Sequence, residues 1–330
     1  MTDQPQVAAA GQVASTPSRD RMPDTTGLID PHRIIDTIEQ VLKGQRRAAE
    51  LAVITLLAQG HLLIEDIPGV GKTTLAAALA RAIDTRVARI QFTPDLLPSD
   101  IVGVSIYRPH SGTFEFAPGP VFANIVVADE INRASPKTQS ALLEAMQEEQ
   151  VTVDGRTYRL REPFMVVATQ NPLEMEGTYP LPEAQRDRFM VRLSLGYPAY
   201  EDEVAMLESQ ERGDPLAGLK PVASAAQVTA LIAAARGVHT ADAIKRYIVD
   251  LADASRRLPG VQLGASPRSG IQLLRAAKAT ALLAGRGYVV PDDVQRMLPY
   301  VWGHRLIQTG QAARSAEDVL RDLADRVKVR

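Results

Sequence analysis

Cysteine is absent from the 330 residues of this sequence. Without thiols the chain forms no disulfide framework and no thiolate metal site, and this composition fits a reducing compartment. An excess of one charge is also lacking, because 37 basic and 39 acidic residues give a formal net charge of -2. The chain therefore lacks the overall basic field that would predict nucleic acid as its main partner.

Long apolar runs are missing too. The most apolar stretch, "LAVITLLAQGHLLIE" (51–65), is interrupted by Gln59, Gly60 and His61, whereas about 20 apolar residues are needed to cross a bilayer. The first 27 residues lack the basic start and apolar stretch of an export signal. We therefore expect a soluble, cytoplasmic protein with no membrane span.

The first 28 residues are rich in Ala, Gln, Ser, Thr, Pro and Asp and show no apolar period. Such a segment cannot bury enough surface to offset the entropy lost on ordering. We predict a disordered tail over residues 1–28.

Helical and strand patterns alternate beyond the tail. Residues 30–60 read as two helices with a break near Gly44. Short apolar runs that end in polar residues then alternate with helical stretches, at 61–65, 87–92, 124–130, 163–171 and 190–195. This alternation predicts an α/β fold, namely an αβα sandwich with a mostly parallel sheet that is covered on both faces.

Only helical patterns are convincing after about residue 200. The expected organisation is therefore the tail (1–28), an α/β core (29–198) and an all-helical domain (199–330).

The stretch "EDIPGVGKTT" (65–74) follows the first apolar run and nearly matches the phosphate-loop pattern G-x-x-x-x-G-K-[ST]. Main-chain amides of such a loop hold phosphates at a helix N-terminus, a lysine contacts the β- and γ-phosphates, and a hydroxyl binds Mg²⁺. Asp66 replaces the first glycine, and Asp tolerates turn and left-handed geometry, so the loop should accept it. The residues expected to bind the nucleotide here are Asp66, Pro68, Gly69, Val70, Gly71, Lys72, Thr73 and Thr74. Lys72 is also a catalytic candidate and Thr73 a metal ligand.

Two strand ends carry further polar candidates. In "NIVVADEINRA", Asp129 and Glu130 follow an apolar run, and adjacent residues of a strand point to opposite sides. By position we assign Asp129 to Mg²⁺ and Glu130 to the base that polarises the attacking water, although two acids at a solvated strand end would look alike. Asn171, in "VVATQNP", could orient that water, or could simply start a turn before Pro172.

Together with "LPEAQRDRF" (181–189) and "GASPRSG" (264–270), these elements resemble the MoxR family of AAA+ ATPases. The stretch from "TPDLLPSDIVG" to "SALLEAMQE" (93–148) is also close to that family's pattern, and the resemblance spans about residues 30–310. It implies an enzyme that hydrolyses ATP with Mg²⁺, built as a core and a helical lid, and working as a homo-oligomeric ring, usually a hexamer. Family members often carry an acidic residue where Asp66 stands.

The resemblance also implies roles for arginines. Arg188, in "DRF", matches the arginine finger that reaches the γ-phosphate of a neighbouring subunit. Arg186 could compete for that role, and Arg188 could instead form a structural ion pair with Asp187 or Glu183.

Two further positions match residues near the nucleotide in the family. Arg268, in "SPRSG", matches the sensor-2 arginine, which could serve its own subunit or the neighbour. Gln45, in "VLKGQ", matches a position near the adenine, and a surface helix residue is the alternative.

Two hairpins are expected within the core. Residues 103–120 alternate around Pro109–Gly112 and look like the family's helix-2 insert. Residues 151–160 alternate around Asp154-Gly155, a two-residue turn signal, and look like the hairpin before sensor 1. In ring ATPases such hairpins often face the pore or a substrate, whereas decoration of a sheet edge is the simpler interpretation.

The family implies chaperone-like remodelling or maturation of a protein client or enzyme complex, often with a partner that carries a von Willebrand factor A domain. The ATPase motor subunit of a metal chelatase is one alternative. A nucleic-acid motor is another, but its basic footprint on the hairpins is thin: Arg156, Arg159 and Arg161 on one, Arg108 and His110 on the other. A scaffold that binds ATP without turnover is disfavoured, because Glu130, Asn171 and Arg188 are all present.

Overall fold

The computed structural model describes residues 27–67, 69–172, 177–211, 213–309 and 314–329. Pro68 and most of the predicted tail, residues 1–26, lie outside the described residues. The helices are α1 (His32–Val41), α2 (Arg46–Leu57), α3 (Lys72–Ala82), α4 (Pro98–Val102), α5 (Pro136–Glu148), α6 (Glu183–Arg186), α7 (Tyr200–Glu211), α8 (Ala225–Gly237), α9 (Asp242–Arg256), α10 (Pro267–Leu283), α11 (Pro291–Trp302) and α12 (Ala316–Arg326). The strands are β1 (Leu62–Glu65), β2 (Val87–Gln91), β3 (Gly103–Arg108), β4 (Thr113–Pro118), β5 (Ile125–Asp129), β6 (Gln150–Val153), β7 (Arg156–Arg159), β8 (Met165–Gln170), β9 (Val191–Leu193), β10 (Val261–Leu263) and β11 (Ile307–Gln308).

Five strands form the central sheet in the order β2-β5-β8-β1-β9, and every neighbouring pair is parallel. These are the five apolar runs of the sequence, which suit a sheet buried on both faces. Because the strands are parallel, their carboxyl ends meet at one edge and their amino ends at the opposite edge. We call these the carboxyl edge and the amino edge of the sheet.

Apolar side chains cover both faces of the sheet. Leu62 and Ile64 of β1 join an apolar core with α1, α2 and α3, whereas Leu63 joins a second core with α5. This split follows from the period of two along a strand. The predicted αβα sandwich is confirmed.

Helices α7 to α12 follow the last sheet strand. The first core continues into α8 to α12, and Trp302 of α11 is buried, with its Nε1 donating to the carbonyl of Ser269 in α10 at 3.1 Å. Strands β10 and β11 form a small antiparallel ladder among these helices. Runs of three and two residues are too short to give a strand pattern in sequence. Within the described ranges, none of the helices is long and apolar enough to cross a membrane.

Both predicted hairpins form, β3 with β4 and β6 with β7. Asp154 and Gly155 have positive φ, as the two-residue turn requires. Phe116 stacks on Tyr158 with 4.2 Å between ring centroids, so one aromatic of the first hairpin packs on the second. Tyr107 and Phe114 pair with each other and stay 52% and 69% exposed.

Candidate active site

The phosphate loop lies between β1 and α3, at the carboxyl edge. Gly69 and Gly71 have φ of 87° and 94°, a region that residues with a Cβ rarely adopt. Helix α3 begins at Lys72, so its first amides face the loop. Lys72 Nζ donates to the main-chain carbonyl of Asp66 at 2.6 Å. The loop thus has the geometry of a phosphate-binding loop. Its lysine, Lys72, is folded back onto Asp66, the first residue of the loop.

Asp66 behaves differently from the expectation. It is not among the described residues with positive φ, so the tolerance of Asp for left-handed geometry is not needed here. The residue is 7% exposed, and its Oδ2 accepts from the amides of Leu195 and Gly196 at 2.6 and 2.7 Å and from the Ser194 hydroxyl at 2.9 Å. Burial raises the pKa of Asp66, but these hydrogen bonds and one from the Ile67 amide lower it below its ordinary value. The Asp66 side chain therefore binds hydrogen-bond donors of the protein, at residues 67 and 194–196, rather than phosphate.

Gln45 lies at the same segment. Its Nε2 donates to the carbonyl of Leu195 at 3.1 Å. Leu195 is buried, and Leu42 and Val70 belong to the same apolar core. The break between α1 and α2, the phosphate loop and the end of β9 thus meet in one place.

Asp129 ends β5 at the carboxyl edge and is 5% exposed. The Thr73 hydroxyl donates to its carboxylate, at 3.2 Å from Oδ2 and 3.4 Å from Oδ1. Thr169 donates to Oδ1 at 3.1 Å, and Arg89 Nε pairs with Oδ2 at 2.6 Å. The structure therefore joins the two predicted metal ligands and adds Arg89 and Thr169, which the sequence analysis missed.

These oxygen donors suit Mg²⁺ carried by a nucleotide. Among the described residues there is no group of three or more His, Cys, Asp or Glu side chains that could hold a metal ion. Mg²⁺ usually takes one or two protein ligands and completes its shell with water and substrate phosphates. The pair Thr73 and Asp129 matches that requirement.

Glu130, the predicted base, follows Asp129 with a left-handed backbone, φ 55° and ψ 49°. Its amide donates to the Thr169 hydroxyl at 3.0 Å. Its Oε2 accepts from Gln91 Nε2 at 2.8 Å and from Arg133 Nη1 at 2.9 Å. A carboxylate held in this way must release at least one donor before that oxygen can accept a proton from water.

Asn171 follows β8 and is 6% exposed. Strand β8 lies between β5 and β1, with Gln170 paired to Glu65 and Ala168 paired to Ala128. Asn171 therefore comes between the acids at the end of β5 and the phosphate loop after β1. This is where a group that orients water would be needed.

Arg188 and Arg268 meet elsewhere. Both line a cavity of about 270 Å³ together with Arg275, Gly60 and His61. Gly60 and His61 precede β1, so this cavity lies at the amino edge, whereas the phosphate loop follows the other end of β1. A four-residue strand spans roughly 13 Å, and this length separates Gly60 and His61 from the phosphate loop.

The contacts of Arg188 and Asp187 bear on the alternative of a structural ion pair between them. Arg188 Nη1 donates to the carbonyl of Leu143 at 2.5 Å. Asp187 pairs with Arg305 at 2.7 Å and lies 4.0 Å from Arg268 Nε, so it serves other arginines. Arg186 lines a separate cavity of about 560 Å³. Arg305 is a buried partner that sequence reasoning missed.

Comparisons with known proteins agree with this geometry. Residues 61–191 match the model described as "ATPase family associated with various cellular activities (AAA)", and residues 253–323 match "AAA lid domain". The chain is 50% identical over 300 residues to YeaC of Bacillus subtilis, covering 90% of this chain and 94% of that protein. It is 43% identical over 291 residues to "Chaperone MoxR1" of Mycobacterium tuberculosis, covering 85% of this chain and 76% of the relative.

A solved structure is also similar along most of its length. It is the crystal structure of a Cytophaga hutchinsonii protein assigned as an ATPase, with 38% identity and a TM-score of 0.84. The match covers 91% of this chain and 94% of that chain.

Proposed function

Because this chain belongs to the MoxR family of AAA+ ATPases, we propose that it couples Mg²⁺-dependent ATP hydrolysis to chaperone-like remodelling or maturation of a protein or enzyme complex. The chain is an ATPase with an AAA domain and an AAA lid domain. We divide it into a nucleotide-binding core (29–198) and a helical lid (199–330).

One observation carries the proposal for the chemistry. The loop lysine, the Thr73–Asp129 pair, Glu130 and Asn171 follow three adjacent strands of one parallel sheet, at its carboxyl edge. Ligands of open α/β sheets bind outside this edge. A triphosphate on the loop would have its terminal phosphate facing the acids.

Each residue then has a part in hydrolysis. The loop amides and Lys72 bind the phosphates, and Thr73 with Asp129 would hold Mg²⁺, which when bound offsets phosphate charge. Glu130 accepts the proton of the attacking water, either at Oε1 or at Oε2 once Gln91 or Arg133 releases that oxygen, and Asn171 orients that water.

Arg188 and Arg268 act on a neighbouring subunit in this proposal. Their position at the amino edge supports it, since a side chain there cannot reach past β1 to the loop of its own chain. We therefore propose a homo-oligomeric ring, a hexamer, in which the amino edge of one copy faces the nucleotide of the next. This extends the sensor role of Arg268 to the neighbour's ATP.

The partner we propose is a protein. The name of the mycobacterial relative, a chaperone, supports a client protein or complex. The exposed pair of Tyr107 and Phe114 on the first hairpin provides apolar surface for such a contact. A protein with a von Willebrand factor A domain is the partner that we would examine first.

Glu130→Gln tests the chemistry. We expect ATP binding to persist while Mg²⁺-dependent phosphate release falls roughly 10²–10⁴-fold, as for loss of a general base. Glu144→Gln, an exposed acid on α5, is the matched control. Parent-rate hydrolysis by Glu130→Gln, or phosphate release that persists in EDTA, would overturn the assignment.

The same variant tests the biological role. Stalled Glu130→Gln protein with ATP should capture client proteins, which mass spectrometry identifies. The double variant Lys72→Ala/Glu130→Gln with ATP is the control, since loss of the lysine should lower its ATP affinity roughly 10²–10³-fold. Equal recovery of proteins by both variants would contradict ATP-driven remodelling.

A further inference from the structure

Asp66 links the phosphate loop to the chain that leads into the lid. Its Oδ2 accepts three hydrogen bonds from Ser194, Leu195 and Gly196, all between 2.6 and 2.9 Å. These residues come directly after β9, and α7 begins at Tyr200. We call 194–196 the junction segment. The carboxylate of Asp66, a residue that is 7% exposed, therefore joins the first residue of the loop to the last residues of the core.

The junction segment has the geometry of an anion-binding nest. Its two consecutive amides, from Leu195 and Gly196, point at one carboxylate oxygen, and Gly196 has φ of 66°. Successive amides in a turn with a left-handed residue form such concave anion sites. Here the anion is Asp66. Gln45 holds the same segment from the other side, through the carbonyl of Leu195.

The main chain of Asp66 is tied to the catalytic elements as well. Its carbonyl accepts from Lys72 Nζ at 2.6 Å. Its amide donates to the carbonyl of Gln170 at 3.2 Å, one residue before Asn171. Its Oδ1 accepts from the Ile67 amide at 2.8 Å, which fixes the side chain to the loop. Any displacement of this peptide therefore reaches both the loop and the junction segment.

We propose that Asp66 is a positioning residue that transmits nucleotide binding from the phosphate loop to the junction segment, and from there to the lid. The proposal rests on the proposed ATPase function and adds a route by which the lid senses the occupied loop. It also explains why aspartate stands where the general motif has glycine: backbone geometry does not demand a glycine, and glycine has no carboxylate.

The physical step is a competition for Lys72. Phosphate oxygens attract an ammonium more strongly than a neutral carbonyl does, because hydrogen bonds between ionised partners are the stronger ones. When Lys72 turns to the phosphates, the Asp66 carbonyl loses that donor, so residues 66 and 67, which the bond from the Ile67 amide to the Asp66 carboxylate holds together, can shift as one unit. The carboxylate remains bound to the nest, so it moves the junction segment with it.

Hydrogen exchange of the full-length protein tests this route. In the parent, the ATP analogue AMP-PNP with Mg²⁺ should change amide exchange of the peptide spanning 191–200 by at least about threefold. In Asp66→Gly and Asp66→Asn this nucleotide response should disappear, while affinity for AMP-PNP, measured by calorimetry, falls by less than about tenfold. Asp325→Asn on α12, an exposed control, should respond as the parent does.

Ser194→Ala keeps the carboxylate and removes one donor, so it should reduce the response without abolishing it, even if an Asp66 variant folds poorly. A full response in Asp66→Gly, no response in the parent despite bound AMP-PNP, or a lost response in Asp325→Asn would each overturn the proposal. Failure of the parent to bind AMP-PNP would instead overturn the ATPase assignment on which it rests.

Discussion

The carboxyl edge and the amino edge of the sheet carry groups of opposite charge and differ in how those groups are paired. At the carboxyl edge, Asp129 is held by Arg89 at 2.6 Å, and Glu130 accepts two hydrogen bonds. At the amino edge, Arg188 donates to a main-chain carbonyl, and Arg268 lies 4.0 Å from its carboxylate partner. The acids are compensated within the subunit, whereas the arginines are compensated only weakly.

The amino edge therefore keeps cationic groups that are available to an anion from outside the subunit, as the proposed contact with a neighbour's ATP requires. A guanidinium bonded to a neutral carbonyl keeps most of its charge available, and arginine binds phosphate with two parallel hydrogen bonds. The carboxyl edge has instead the phosphate loop, the Thr73–Asp129 pair and Glu130, which meet within one chain. In the proposed ring, one copy would supply the loop and the acids of each site, and a second copy would supply the arginines.

We expect the largest effect when an arginine is removed from the amino edge. Arg188→Ala should bind ATP but lose roughly 10³–10⁵-fold in assembly-dependent turnover, the range for an arginine supplied in trans. Mixing it with Lys72→Ala protein should restore some phosphate release, because each variant supplies the half that the other lacks. Arg186→Ala, in the separate cavity, is the matched control and should lose far less. No rescue in proven mixed rings would count against action in trans.

We expect the second largest effect when the loop lysine is removed from the carboxyl edge. Lys72→Ala should lower ATP affinity roughly 10²–10³-fold, since the lysine contacts two phosphates and a hydrogen bond to a charged group contributes about 1.5–3 kcal/mol. Calorimetry with AMP-PNP measures this loss. Lys137→Ala, exposed on α5, should bind as the parent does. Equal affinities would exclude the loop as the phosphate site.

A third prediction concerns His61 at the amino edge. Its Nδ1 accepts from the Val166 amide at 3.1 Å and its Nε2 donates to the Met146 carbonyl at 3.0 Å. Burial lowers the pKa of His61 to about 4. Below pH 6.5 the unfolded chain takes up this proton first, so the free energy of unfolding should fall by about 3 kcal/mol between pH 6.5 and 4.

Chemical denaturation of the parent and His61→Gln across this pH range checks that value. The glutamine can donate and accept but does not titrate, so its stability should depend less on pH. Buried His304, whose pKa is also lowered by burial, acts in the same direction in both proteins. Identical pH profiles would contradict the prediction for His61.

The smallest effect sharpens the comparison within the amino edge. Arg268→Ala should reduce turnover by roughly tenfold, about 1.4 kcal/mol. The loss should be no larger than this because Asp187 keeps its 2.7 Å pair with Arg305, so the lid stays docked on the core. Arg257→Ala, an exposed arginine of the same domain, is the control. A loss seen in single subunits as well as in rings would place Arg268 on its own nucleotide.

The sequence predicted the five strands of the central sheet, both hairpins, and Thr73 and Asp129 as a pair. Those features depend on local patterns: apolar runs, a two-residue turn and a loop motif of known spacing. The fold class follows from the alternation of such patterns, so it could be predicted from the sequence. The ladder of β10 and β11 was not, because five residues do not form a period.

The partners of the site residues could not be read in this way. Asp66 binds residues almost 130 positions later in the chain, and Arg89 reaches Asp129 only because β2 and β5 are neighbours in the sheet. Strand order decides these contacts, and no local pattern encodes it. An arginine inside the apolar run 87–92 was the one available signal.

Trp302 is the only tryptophan in the sequence. Its indole is buried and bonded to Ser269, the residue after Arg268. Tryptophan fluorescence, as distinct from that of the eight tyrosines, therefore comes from a single point beside the arginine that we assign to the neighbour's ATP. In the proposed ring, that emission would report on the neighbour's nucleotide without any added label.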